Sequence, residues 1–406
     1  MEKLDIDISL KNIGSVSWNI YEKICVDSIE DLIYRMRWKY YHFKKDKRRK
    51  NAQNIVMDNQ TQFNYVDSSD QQEEFNNEFY GLKTNIQAPF DKDLKPWEDD
   101  MVDMISNLKK RNYRSAFQDK IRHIEVILRN SDKILISSDK TDNHYFIEKN
   151  EYIKNLRNCI TKDYRKSDFE EIEQADIEAA SLAKKLGIEW RLEKTALKPA
   201  FITVKDHKED WPARASFRLI NPMKANIGKV SKKILERINK ELRASFSLNQ
   251  LISTQEVINW FENTDNKERK SFFQCDIENF YPSISEDLLR KALDWAKTQT
   301  YISDLAIDII FCARRNVLYD GEQIWVKKKN AKFDIGMGAF DGAECSELIG
   351  IYMLHTLIFV EKVFKREEVC LYRDDMLSMV EGDGPTMDRI RKAVVRIFKK
   401  VRLSVK

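Results

Sequence analysis

The 406-residue sequence lacks paired cysteines: its six, Cys25, Cys159, Cys275, Cys312, Cys345 and Cys370, are scattered with no CxxC among them. That argues against a zinc site and a disulfide framework, and leaves reduced thiols destined for a core. The N-terminus, MEKLDIDIS, lacks the basic-then-apolar pattern of a secretory leader. The longest mostly apolar run, Leu348 to Val360, is shorter than the roughly 20 residues a span requires, so it reads as buried helix and no membrane partner is expected. Internal repeats and long low-complexity tracts are also missing, which leaves out solenoids and arrays. What remains is an intracellular chain with length for two or three domains.

Charge is present in quantity but unevenly placed. The net charge is only +4, yet residues 67–104 hold eleven acidic against three basic side chains, and residues 191–245 hold fourteen Lys and Arg against six Asp and Glu. The basic block suits a polyanion, although a solvated face has the same composition. A second cluster, Lys44 to Lys50, fits a nuclear address or a nucleic-acid contact as well as it fits a helix end; on it rests the expectation of a nuclear protein.

Helical patterning surrounds Ile20 to Ile24 and Ile29 to Tyr41, followed by an Asn-, Gln-, Asp- and Ser-rich linker over 51–95. A helix is predicted from Trp97 to about Asn130 with Met101, Met104, Ile105 and Leu108 on one face. Strands are expected at Ile134 to Ser137 and Tyr145 to Ile147, then a helix N-capped by Asn150 and another over Ile172 to Leu186. The domain reading is a helical and linker extension (1–95), a helical and small-strand segment (96–195), and the main body (196–406).

In the main body, PAFITVKDHK (199–208) and FRLINP (217–222) read as two antiparallel strands around a Trp211-Pro212 turn. Arg218 has the fork to grip a triphosphate, with Lys205 or Lys208 adding a point charge. Strand Ser271 to Asp276 ends in a carboxylate, and EVCLYRDDMLSMV (368–380) is a hairpin with Asp374 and Asp375 at its tip. Adjacent carboxylates repel unless a cation sits between them. Oxygen-only donors without His or Cys suit Mg²⁺, and carboxylates from separate strands can converge on two ions roughly 3.5 to 4 Å apart. Between these pieces, Ser283 and Glu286 have capping-box spacing ahead of a helix over Asp287 to Lys297, Gly336, Gly338 and Gly342 precede an apolar helix, and a last helix runs from about Thr386 to Val401.

The ordered series PAFITVKDHK, FRLINP, QCDIENFYPSI, MGAFDG and LYRDD, with SSDKTDN upstream, resembles a reverse transcriptase and within that superfamily is most similar to the Penelope-like retroelement polymerases, over about Ser138 to the C-terminus. The resemblance implies an α+β right-hand polymerase, fingers and palm, its antiparallel palm sheet packed on helices and preceded by a mostly helical extension. It implies RNA-directed DNA polymerase activity with an RNA template, a DNA primer and deoxynucleoside triphosphates as partners. Asp276, Asp374 and Asp375 would bind two Mg²⁺ ions, with Mn²⁺ as a possible substitute and the Ile277 carbonyl as a further ligand. Arg218 with Lys205 or Lys208 would hold the triphosphate, and Met337 and Gly338 would face the base pair and template. Tyr281, five residues after Asp276, would exclude a ribose 2′-hydroxyl, or else is a core aromatic beside Phe280. Only 31 residues follow Asp375, so a truncated polymerase without a thumb and with weak processive synthesis is expected. The rival readings are a non-catalytic nucleic-acid-binding protein of the same fold and an RNA-dependent RNA polymerase.

Overall fold

The computed structural model describes residues 2–4, 26–41, 43–44, 80, 82, 89–107, 123–124, 126–127, 129–213, 215–330, 332–336 and 338–406. The expected helix at Ile20 to Ile24, Lys45 to Lys50 of the basic cluster, most of the 51–95 linker, Leu108, Cys25 and Met337 lie outside the described residues. By contacts the chain divides into two units, 1–71 with 83–152 and 72–82 with 153–406.

In the first unit a three-stranded antiparallel sheet has the order β1 (Glu2–Leu4), β3 (His144–Glu148), β2 (Lys133–Ser137). The strands expected around Ile134 and Tyr145 are these. Helix α1 covers 26–41 and α2 is Lys95–Ser106. The expected apolar face of α2 is not buried: Met104 is exposed, and the buried side chain is Glu98. Arg37 grips Glu98 through two 2.6 Å hydrogen bonds, which hold its carboxyl below the ordinary range. Lys44, the described residue of the basic cluster, is held between Asp91 and Asp93 at 2.8 and 2.7 Å.

Helix α3 (Lys149–Asp163) spans the boundary, its residues from Ile153 onward belonging to the second unit. It starts at Lys149, so Asn150 is inside the helix and not its cap. β4 (Tyr164–Ser167) and α4 (Glu170–Lys185) follow, and then the two-stranded sheet of β5 (Phe201–Val204) and β6 (Phe217–Ile220), with the Trp211-Pro212 bond between them cis. The long helix α5 (Ile227–Phe246) buries an apolar stripe from Ile227 to Leu242 at helical spacing. After β7 (Gln250–Leu251) and α6 (Thr254–Glu262) comes β8 (Lys270–Asp276), then α7 (Glu286–Gln299) and α8 (Asp304–Cys312). The cap of α7 is Ser285, whose side chain accepts from the Leu288 amide at 3.2 Å, not Ser283. β9 (Leu318–Tyr319) and β10 (Ile324–Lys327) add to β4 in a second small sheet.

Helix α9 (Gly342–His355) continues as a π-helical turn, Thr356–Val360. The apolar helix therefore begins six residues before Leu348, and among the described residues this 19-residue segment alone is long and apolar enough to cross a membrane. Most of it is buried in the protein, as a core helix is. The hairpin β11 (Val369–Tyr372) and β12 (Asp375–Glu381) and helix α10 (Gly384–Lys400) complete the unit.

Four strands form the sheet that carries the carboxylates, in the order β7-β11-β12-β8, and Val405 pairs along the free side of β8 at Ile277. Taken in chain order, β8, α9, β11, β12, α10 and residues 404–406 make a βαββαβ unit. The expected α+β class and a sheet packed on helices are present; β11, β12 and β8 pair antiparallel as expected, whereas β7 joins β11 in parallel. Alternation explains how the sheet packs: Phe273 and Cys275 turn to the main core, which also holds Leu371, Met376, Leu348, Val394 and Phe398. Phe272, Gln274 and Asp276 alternate to the exposed side. Tyr80 and Leu82, each 1% exposed, are part of the same core.

Candidate active site

Asp276 ends β8 and Asp375 begins β12, and the two are register partners. The Ile277 amide donates to the Asp374 carbonyl at 2.9 Å, the bond that flanks a non-hydrogen-bonded antiparallel pair. In such a pair the Cα atoms are roughly 4.5 Å apart and both side chains leave the same face. Asp276 is exposed, Asp374 and Asp375 partly so. Sequence placed both hairpin aspartates in the turn. In the structure Asp375 is already strand, and the two-residue loop is Arg373 and Asp374. Arg373 has φ +56°, a conformation that costs a non-glycine residue about 1 to 3 kcal/mol and is carried by the flanking ladder.

The far side of β8 is pinned by the chain's last residues. Asp276 and Lys406 exchange both main-chain hydrogen bonds at 3.0 Å, and Glu278 N–H donates to Ser404 at 2.9 Å. The Lys406 ammonium pairs with Glu278, which draws that carboxyl below its ordinary range, and it also feels the Asp276 charge.

Two facing carboxylates on an open strand end suit a hard cation that completes its shell with water and phosphate oxygens. Among the described residues no group of three or more His, Cys, Asp or Glu side chains is placed to hold an ion by itself. The register gives Asp375 a strand position opposite Asp276 and leaves Asp374 in the turn.

Beyond β8 the backbone turns at Asn279 (φ +48°) into a helical turn, Phe280–Ser283. Asn279 lines a cavity of about 190 Å³ together with Lys205, Arg218 and Gly336. Arg218 sits opposite Thr203 in the β5–β6 ladder, and Lys205 follows directly after β5. The alternation between Lys205 and Lys208 resolves in placement: Lys205 faces the cavity, whereas Lys208 is exposed in the turn beyond and does not line it. Four cations, Lys162, Lys205, Arg218 and Lys327, outnumber the two carboxylates Asp163 and Asp334 in the wall, a balance that favours an anionic ligand.

Tyr281 is half-buried at the edge of the main core, edge-on to Phe280 at 6.2 Å. It does not line the cavity, although its neighbours Asn279 and Pro282 do. Gly338 has φ +108°, and a Cβ there would run into the Asn221 carbonyl oxygen, so only glycine fits.

One wall of the cavity escaped sequence reasoning. Tyr164 donates to Asp334 at 2.7 Å, Asn316 donates to the same oxygen at 3.0 Å, and the Lys327 ammonium is 3.4 Å from the other. Burial first, and Asp334 second, push the Tyr164 phenol far above its ordinary value. The partners are up to 170 residues apart, and no local spacing announces them.

No protein-family model matches the chain, and no curated protein matches it. Among solved structures it is similar to telomerase from Candida albicans in complex with a fragment of telomeric RNA, at 12% identity and TM-score 0.48 over 79% of this chain and 55% of that one. It is similar to apo telomerase from Candida tropicalis at 12% identity and TM-score 0.45, covering 79% of this chain and 63% of that one. A third likeness is to the RNA-dependent RNA polymerase of a human picobirnavirus, at 10% identity and TM-score 0.41, covering 80% and 69%. The chain thus spans little more than half the length of the telomerases, and at these scores the likenesses carry no assignment of residues or activity.

Proposed function

We propose that this chain is the fingers-and-palm part of an RNA-directed DNA polymerase of the Penelope-like retroelement type. One observation carries the reading: Asp276 and Asp375, 99 residues apart in sequence, are cross-strand partners on the open end of a βαββαβ sheet. The cationic cavity begins three residues past Asp276, at Asn279.

Asp276 and Asp375, with Asp374 and the Ile277 carbonyl, would hold Mg²⁺, or Mn²⁺ in its place. Bound there, the metal supplies charge stabilisation for the attacking primer oxygen and the departing pyrophosphate. The chain's own residues position the reactants. Arg218 offers a planar fork to phosphate oxygens and Lys205 a mobile point charge on the same wall. Gly338 lets the loop before α9 lie against the Asn221 backbone. The basic block over 191–245 supplies salt-sensitive attraction for an RNA template and a DNA primer.

The test is primer extension by the full chain with Mg²⁺, an RNA template, a DNA primer and deoxynucleotides. Template-directed incorporation supports the reading. Salt-sensitive binding with no incorporation favours the second reading, a nucleic-acid-binding protein without turnover.

Tyr281 decides between deoxynucleotide and ribonucleotide use. With an aromatic side chain under the sugar, Tyr281→Ala is expected to raise ribonucleotide incorporation relative to deoxynucleotide about ten-fold or more. A ratio unchanged in a folded Tyr281→Ala chain would mean the ring is only a core aromatic. Wild-type preference for ribonucleotides would make the enzyme an RNA polymerase.

A further inference from the structure

Arg314 follows α8 and is fully buried. Its guanidinium pairs with Asp341, its Nε donates to the Ile310 carbonyl at 3.3 Å, and its own carbonyl accepts from the Asp334 amide at 2.9 Å. One residue therefore holds both ends of the stretch from Asp334 to Asp341. That stretch lines two cavities. Ile335 and Gly336 face the one with Lys205 and Arg218, while Gly338 and Phe340 face a larger one, about 580 Å³, with Lys194, Lys198 and Lys224. Asn221 lines both and donates to Asn316 at 2.8 Å, and Asn316 donates to Asp334.

The pair is an expensive way to fill space. Arg314 Nη1 and Asp341 Oδ2 have no hydrogen-bond partner, and a buried ion pair is often no more stabilising than apolar side chains of equal volume. The ion pair adds direction instead: a planar fork fixes where the carboxylate, and with it the N-terminus of α9, must sit.

We infer that Arg314 is a positioning residue, clamping the 334–341 loop at both ends so that the wall shared by the two cavities keeps one shape. The clamp itself is independent of the polymerase reading. Its consequence for a nucleoside triphosphate rests on that reading.

The test uses the full chain and the double variant Arg314→Met/Asp341→Leu, which removes the charges while keeping the volume. Thermal unfolding is expected within a few degrees of wild type, with amide exchange of a peptide spanning 335–340 at least ten-fold faster. Binding of a deoxynucleoside triphosphate with Mg²⁺ should weaken about five-fold, while a single-stranded oligonucleotide, held by many phosphate contacts spread over the whole 191–245 basic block, binds within two-fold of wild type. A merely structural role would move stability and both affinities together. Should the double variant not fold, Arg314→Lys keeps one charged contact and is expected to speed exchange of the same peptide about three-fold. Exchange within error of wild type in either folded variant overturns the clamp. A wild-type chain that binds no triphosphate overturns the polymerase reading, and the exchange result still judges the clamp.

Discussion

Asp276→Asn is expected to lower single-nucleotide incorporation by about 10³-fold, equivalent to about 4 kcal/mol of transition-state stabilisation, without loss of stability. The two halves have separate causes. Activity falls because an amide is a poor ligand for a hard divalent cation, and half of the facing carboxylate pair is gone. Stability holds because what ties Asp276 into the sheet is main chain, the reciprocal bonds with Lys406 at 3.0 Å, and these survive the substitution. Like charges on directly opposed strand residues destabilise by roughly 0.2 to 1 kcal/mol, so relieving the Asp276 and Asp375 repulsion leaves the unfolding midpoint equal to wild type or slightly higher. Glu278 remains to neutralise Lys406. The checks are single-turnover incorporation and a urea unfolding curve on the same preparation. A variant keeping a tenth or more of wild-type incorporation would remove Asp276 from the chemistry. Loss of activity together with the cooperative transition would make it a structural residue.

The carboxylate pair was legible in the sequence because two local patterns cooperate there. Period-two alternation marks β8 and the hairpin as strands; an aspartate in a tight turn is ordinary by itself, and it is the second strand ending in an acid that marks the pair. The β5–β6 ladder was legible for the same reason, and with it the shared position of Lys205 and Arg218. Where several local signals compete, sequence fixes an element and misses its details. Ser283 and Ser285 both precede α7, and the cap went to the residue with extended backbone. The burial of α2 was misread because Arg37, 61 residues away, makes Glu98 the residue worth enclosing. Arg314 left no trace at all: an arginine after a helix reads as a surface C-cap, and its partner Asp341 is 27 residues on. Polar residues whose partners are distant in sequence obey no period, so the buried Tyr164, Asn316 and Asp334 network was equally invisible.

Phe398→Ala is expected to carry the largest stability cost, about 3 to 5 kcal/mol, and to reach the candidate site through the backbone. Phe398 is fully buried on α10 beside Val394 and Ile397, in the core beneath the carboxylate sheet. Its carbonyl also accepts from the amides of Val401 and Leu403, at 3.1 and 3.0 Å. Those bonds turn the chain at Arg402, φ +63°, and deliver residues 404–406 alongside β8. Truncating the ring removes the packing that fixes this last turn, so the pairing of Lys406 with Asp276 loosens before the rest of the sheet. A urea titration should show a lower midpoint with an unchanged slope, since the surface exposed on unfolding is the same. Native-state exchange should show the Asp276 and Glu278 amides opening more readily than the Ile277 amide, which is bonded across to Asp374. Equal acceleration at all three would mean that residues 404–406 do not depend on α10 for their place, and a midpoint within error of wild type would place Phe398 outside the load of the core.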